Sequence, residues 1–112
     1  MQQVQVTARY RVEGDPAQFR AEMTRSAPAI ASIPGLVRNM WSLDPDSGVG
    51  TSIYLFDGEE AARHFLAGPT LEHLLNGPGV SGVSLDLTHV VEDHSETAPS
   101  LLAPEGESRA AS

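Results

Sequence analysis

The 112-residue chain has no cysteine, and all seven of its basic residues are arginines, so lysine is missing as well. These two absences exclude thiolate nucleophiles, cysteine-ligated zinc or iron–sulfur clusters, disulfides and lysine Schiff bases. Aromatic residues are scarce at 5%, with a single tryptophan. Positive charge is scarce too. A net charge of -8 argues against a nucleic-acid surface, which needs clustered Arg and Lys to displace counterions from phosphates, and gives no reason to expect anionic lipid as a partner. No run approaches the roughly 18 to 20 apolar residues of a membrane span. The opening "MQQVQVTARYRV" alternates and lacks the apolar core of a signal peptide, so a cytoplasmic protein is expected. The general bases that remain are carboxylates and four histidines.

What is present suits one globular domain, with 40% hydrophobic and 20% charged residues. Val4, Val6, Ala8, Tyr10 and Val12 alternate with polar residues, the period of a half-buried strand. "EGDP" interrupts it, with Asp15 as N-cap and Pro16 as the first residue of a helix running to about Ser32. Phe19, Met23, Ala27 and Ile30 share one face of that helix, and Pro28 should loosen its last turn. After Pro34-Gly35, Leu36 to Leu43 and Thr51 to Phe56 read as a hairpin around "DPDSGVG". "DGEEAARHFLAG" reads as a short helix with Asp57 at or near its N-cap, followed by another turn or two over Thr70 to Leu75. Val80 to about Val91 reads as a last strand, with Val83, Leu85, Leu87, His89 and Val91 on one face. Residues 1–94 therefore form the expected domain, and residues 95–112, rich in Ser, Pro, Ala and Glu, a flexible tail.

The order β-α-β-β-α-β, with a small extra helix, predicts an α+β, ferredoxin-like antiparallel sheet with its helices on one face. Ala8, Tyr10, Met40, Tyr54 and Phe56 compete with Ile53, Leu55, Val37 and Trp41 for burial, so neither sheet face is cleanly polar. Packing against a second copy in a two-fold homodimer would cover the spare face.

The stretch "APAIASIPGLVRNMWSLDPDSGVGTSIYLFDGEEAARHFLAGP" resembles the central region of the YdhR-type family of proposed mono-oxygenases, within the dimeric α/β-barrel superfamily that includes the antibiotic-biosynthesis monooxygenases. The matching pieces are Ile33 to Val37, Trp41, Ile53 to Phe56, Ala61-Ala62 before Phe65-Leu66, and Gly68-Pro69; the later "EDHSETAP" is a weaker echo. Asn39 stands where the family often has a lysine, and Thr51-Ser52 where it often has paired glycines. The resemblance implies a homodimer whose sheets close into a barrel, with a pocket between sheet and helices in each subunit. It also implies oxygenation of aromatic or polyketide-type substrates such as anthrones without metal or flavin, since some superfamily members do this. Others degrade haem, cyclise or isomerise substrates, or have no demonstrated activity.

Cofactor-free oxygenation needs an electron-rich enol or phenol, a base to ionise it, donors for the oxyanion, and a dry cavity. Asn39 and Trp41, two apart in one strand, project from the same face and suit orientation of a substrate oxygen and stacking on a planar ring. Both also fit a plain core-and-edge role. Tyr54 offers a phenol to the same pocket, or is an ordinary core aromatic. His64, His73 and His89 are the candidate bases, each with an alternative as a satisfied structural or solvated side chain. Arg38 and Asp86 point to opposite faces from Asn39 and His89 respectively. No histidine pair has the i, i+4 spacing of a helical metal site, so no metal is expected, and the glycine-rich segments lack a phosphate-cradle context. The expectation is a cofactor-independent monooxygenase-like enzyme; a redox-neutral cyclase or isomerase, or a non-catalytic accessory dimer, are the alternatives.

Overall fold

A computed structural model describes residues 2–75 and 79–92; the expected domain boundary near residue 94 and the tail over residues 95–112 lie outside the described residues. The elements run β1 (Val4–Val12), α1 (Pro16–Ala31), β2 (Leu36–Leu43), β3 (Val49–Phe56), α2 (Glu59–Ala67), α3 (Pro69–Leu75) and β4 (Val80–His89). The four strands form one antiparallel sheet in the order β2-β3-β1-β4. This is the ferredoxin-like arrangement that the element order predicts.

Local chemistry starts and stops these elements. Asp15 accepts the backbone N–H of Ala17 at 2.9 Å and caps α1, with Pro16 following at the first helical position. The helix continues through Pro28 to Ala31. The cap of α2 is Gly58, without a side-chain bond, next to Asp57 and so within one residue of the expected helix start. Asp57 is held by its own N–H, which donates to the Gly35 carbonyl at 2.9 Å and ties the end of β3 to the turn before β2. The hairpin strand begins two residues earlier than expected, at Val49, because Asp44 N–H pairs with the Val49 carbonyl at 2.9 Å. β4 ends at His89, and Val91 lies beyond it, 89% exposed, instead of sharing the strand's face.

The cross-strand register defines the two faces. On the inner face, Trp41, Ser52, Ala8 and Leu85 form one row across the sheet, and Asn39, Tyr54, Val6 and Leu87 form the next. Val4, Val6, Ala8, Tyr10, Tyr54 and Phe56 pack there with Phe19 of α1, Ala62 and Phe65 of α2, and Leu71 of α3. Trp41 thus belongs with Tyr10 and Tyr54, while Met40, paired with Ile53, belongs to the outer face. The expected grouping of Met40 with Tyr54 and of Trp41 with Ile53 is corrected by this register, which local alternation cannot supply. The irregularity between Leu36 and Arg38 shifts this pairing; a second, opposite Arg9 and Arg11, lies in β4. Gly82 lies within the second, at φ 62, the left-handed backbone that lets a bulge form. On α1, Phe19 and Ile30 are buried and Met23 half-buried, whereas Ala27 is exposed.

At Gly50 the inner face is a bare backbone on which the Tyr10 ring lies; an added Cβ would collide with Tyr10 Cε1 and would come 2.9 Å from Cδ1. Gly50→Ala should therefore lower stability by about 1–3 kcal/mol, read from the urea midpoint, and the loss should shrink in a Tyr10→Leu background, where the ring is gone.

Candidate functional site

A cavity of about 350 Å³ opens beside the N-terminal half of α1, bounded by the β1–α1 junction, the start of β4 and His73 of α3. Its apolar walls are Val12, Phe19, Met23 and Val80. The smaller of the two cavities beside α1, about 260 Å³, lies between its C-terminal end and α2, lined by Ile33, Phe65 and His64 among others, and a third, about 370 Å³, lies between α2, α3 and β4.

Asn39, Trp41 and Tyr54 stand together on the inner face, as their spacing and the register require. Trp41 is half-buried and meets Phe19 edge-on, ring centroids 5.5 Å apart. Phe19 in turn lines the larger cavity and packs against Tyr10 at 5.9 Å. Asn39 is half-buried, and its Nδ2 donates to the Ile53 carbonyl at 3.0 Å. A primary amide has a second N–H and a carbonyl oxygen besides. Tyr54 is buried against Phe65, centroids 4.8 Å apart.

The three histidines do not converge. His73 lines the larger cavity with Phe19 and Met23, and His64 lines the smaller one. His89 lies at the end of β4, the strand farthest across the sheet from β2, with Nδ1 3.2 Å from Gln2 Oε1 and Nε2 3.5 Å from Glu59 Oε1. Arg38 and Asp86 are exposed on the outer face, opposite Leu55 and Thr7.

The register also unites residues that sequence reasoning left separate. Tyr10 Oη and Ser52 Oγ are 2.6 Å apart within the core, on the same inner face as Tyr54. Burial pushes the Tyr54 phenol up to about 12, against the opposing pull of Ser52 and with a smaller contribution from neighbouring Tyr10. Tyr10 is raised for the same first reason, its burial, and is likewise opposed by Ser52. The sequence signal was Ser52 itself, a hydroxyl inside an otherwise apolar strand. Phe19, the link between Trp41 and the cavity, was visible only as one member of a helical apolar face.

A four-stranded antiparallel sheet with its helices on one face and a cavity beneath them is the architecture of the antibiotic-biosynthesis-monooxygenase-like proteins. Residues 4–100 match the family described as putative mono-oxygenase ydhR, and the chain belongs to that family. It is similar to SnoaB, a cofactor-independent oxygenase from Streptomyces nogalater, with a TM-score of 0.68 and 26% identity over 85% of this chain and 99% of that one. An antibiotic biosynthesis monooxygenase, so described as putative, from Caulobacter crescentus CB15 has a TM-score of 0.66 at 20% identity, covering 81% and 92% of the two chains. Rv0793 from Mycobacterium tuberculosis has a TM-score of 0.65 at 15% identity, covering 83% and 99%. The last two likenesses are of fold. No curated protein matches the chain. Among the described residues, no helix is long and apolar enough to cross a membrane.

The buried phenols give a pH dependence with a defined sign. Lysine is absent, and arginine stays charged beyond about pH 12, so tyrosine dominates titration between roughly pH 10 and 12. A folded-state value above the unfolded one means that the native protein keeps a proton the unfolded chain releases. Stability should hold up to about pH 10 and fall as pH rises toward 12, by up to about 1.4 kcal/mol per pH unit for each fully protected tyrosine. Urea unfolding across this range should show the decline, reduced in Tyr54→Phe; an unchanged stability would contradict the burial assigned to these groups.

Proposed function

We propose that the chain is a small cofactor-independent monooxygenase-like enzyme that acts, as a homodimer, on an aromatic or polyketide-type substrate held between sheet and helices. The observation that carries this reading is the 26% identity with the cofactor-independent oxygenase SnoaB along nearly the full length of both proteins. The larger cavity supports it, since about 350 Å³ falls within the roughly 300–1,000 Å³ of small-molecule sites.

Oxygen reacts with such a substrate only after the substrate becomes electron-rich, which an enol or phenol does on losing its proton. The protein's work is then to accept that proton, orient the resulting oxyanion and exclude water. His73 is assigned as proton acceptor because it shares a cavity with Phe19, the neighbour of Trp41; His64 and His89 are the less favoured candidates. Phe19 is the aromatic wall of that cavity and Trp41 backs it. Tyr54, buried against Phe65, and Asn39 lie outside its lining, so Tyr54 is assigned to support the wall from within the core. Asn39 is assigned to orient a substrate oxygen where the site extends along the sheet, through the part of its amide not given to Ile53. The homodimer is proposed from the outer sheet face, where Met40 is 53% exposed and Ile53 and Leu55 are half-exposed. A second sheet packed there would cover all three.

Oxygen consumption with anthrone, naphthol and hydroquinone substrates, in the presence of a metal chelator, tests this assignment. Uptake should persist with chelator and fall about tenfold or more in Trp41→Ala, Asn39→Ala and His73→Gln, with His64→Gln and His89→Gln closer to wild type. Substrate conversion without oxygen uptake would instead identify a redox-neutral cyclase or isomerase. Folded protein with neither activity would favour an accessory role.

A further inference from the structure

We infer that the cavity beside α1 discriminates by charge, taking neutral or amine-bearing ring compounds in preference to carboxylate-bearing ones. This rests on the proposed reading of that cavity as the substrate site. Its apolar walls are joined by three carboxylates, Glu13, Asp15 and Glu22, and by no arginine among the described residues. The chain between His73 and Gly79, both lining residues, is Leu-Leu-Asn-Gly-Pro and adds no charge.

The partners of these carboxylates decide how much negative charge the cavity presents. Glu22 is paired with Arg25, Oε2 to Nη1 2.6 Å, so its charge is balanced locally. Glu13 Oε2 accepts the Ser81 hydroxyl at 2.8 Å, and Asp15 Oδ1 accepts the Ala17 N–H at 2.9 Å. Those donors are neutral, so they hold the two carboxylates in position and leave their charge in place. The nearest arginine in sequence, Arg11, directs its Nη1 to the Ser47 carbonyl at 3.0 Å, in the β2–β3 turn.

The acidity of this lining does not simply follow from a net charge of -8. The smaller cavity beside α1 has no carboxylate among its described lining residues, and the cavity between α2, α3 and β4 has one, Glu72. Both carboxylates are exposed at the cavity's mouth, so solvent and salt screen them, and their effect on a ligand comes from two like charges acting together at close range in low salt. An anionic substituent at the mouth would meet the repulsion of two carboxylates, with His73 the one basic side chain among the described lining residues, whereas an ammonium there would gain.

Three naphthalenes of matched shape provide the test: naphthalenemethanamine, naphthalenemethanol and naphthalenecarboxylate, titrated calorimetrically into the full chain at neutral pH and low salt. Backbone amide shifts at Gln18, Ser26 and Gly79 would locate binding. The amine should bind most tightly and the carboxylate most weakly, with about a tenfold spread that narrows at high salt. The spread should also narrow in Glu13→Gln/Asp15→Asn, which removes both charges while keeping an acceptor for Ser81 and a capping side chain for α1. Equal affinities, or tighter binding of the carboxylate, with shifts still at those three amides would overturn charge selection and leave the substrate-site reading standing. No shift at those amides with any of the three would overturn both.

Discussion

The buried hydrogen bond between Tyr10 and Ser52 is the constraint to which the rest of the inner face is fitted. Both hydroxyls lie in the core, where an unpartnered one would cost about 1–3 kcal/mol. They are on neighbouring strands, β1 and β3, so the bond can form only in a register that turns both side chains inward. A one-residue slip would send Ser52 to the outer face and strand the phenol of Tyr10. The same register aligns Asn39 with Tyr54 and Trp41 with Ser52. The placement of the candidate substrate wall is therefore tied to a polar pair in the core, and Gly50 supplies the flat backbone on which the Tyr10 ring rests.

Much of this was legible along the chain because the relevant signals are local. Alternation over Val4 to Val12, the Asp15-Pro16 helix start and the order of elements yielded the ferredoxin-like fold. The parity of Asn39 and Trp41 placed them on one face. What could not be read was how one strand aligns with the next. The bulge at Val37 changes the phase within β2, which is why alternation along the chain groups Met40, and not Trp41, with Tyr54. The start of α2 was legible to within one residue, but not the backbone bond to Gly35, twenty-two residues earlier in sequence, that holds Asp57 beside it. The histidines illustrate the same limit, since their sequence spacing does not say that His64 and His73 line different cavities.

Phe19 joins the fold to the site. It is one of two buried residues of α1, and its ring touches Tyr10 on one side and Trp41 on the other while also lining the larger cavity. A side chain that does all three transmits packing changes in the core to the cavity wall, because close-packed interiors have little slack. The other buried anchor, Ile30, lies eleven residues further on, about 16 Å along the helix. Between them Met23 is only half-buried and Ala27 is exposed. α1 is thus held mainly near its two ends, and the larger cavity opens beside its N-terminal half.

The position of β2 gives the proposed dimer a second consequence. In the sheet order β2-β3-β1-β4, β2 is an edge strand, paired on one side only, yet it carries Asn39 and Trp41. An edge strand is the least constrained part of a sheet, whereas a site that must orient a ring and an oxygen within a fraction of an ångström needs a rigid wall. Phe19 supports Trp41 from the inner side, and the amide of Asn39 is tied to the main chain of β3. On the outer side Met40 has no comparable support among the described residues, because the helices that contribute to the core pack on the inner face. A second sheet closing over Met40, Ile53 and Leu55 would therefore do more than cover apolar surface. It would clamp the strand that bears the candidate binding residues from its unsupported side, so that association and the geometry of the site would depend on each other.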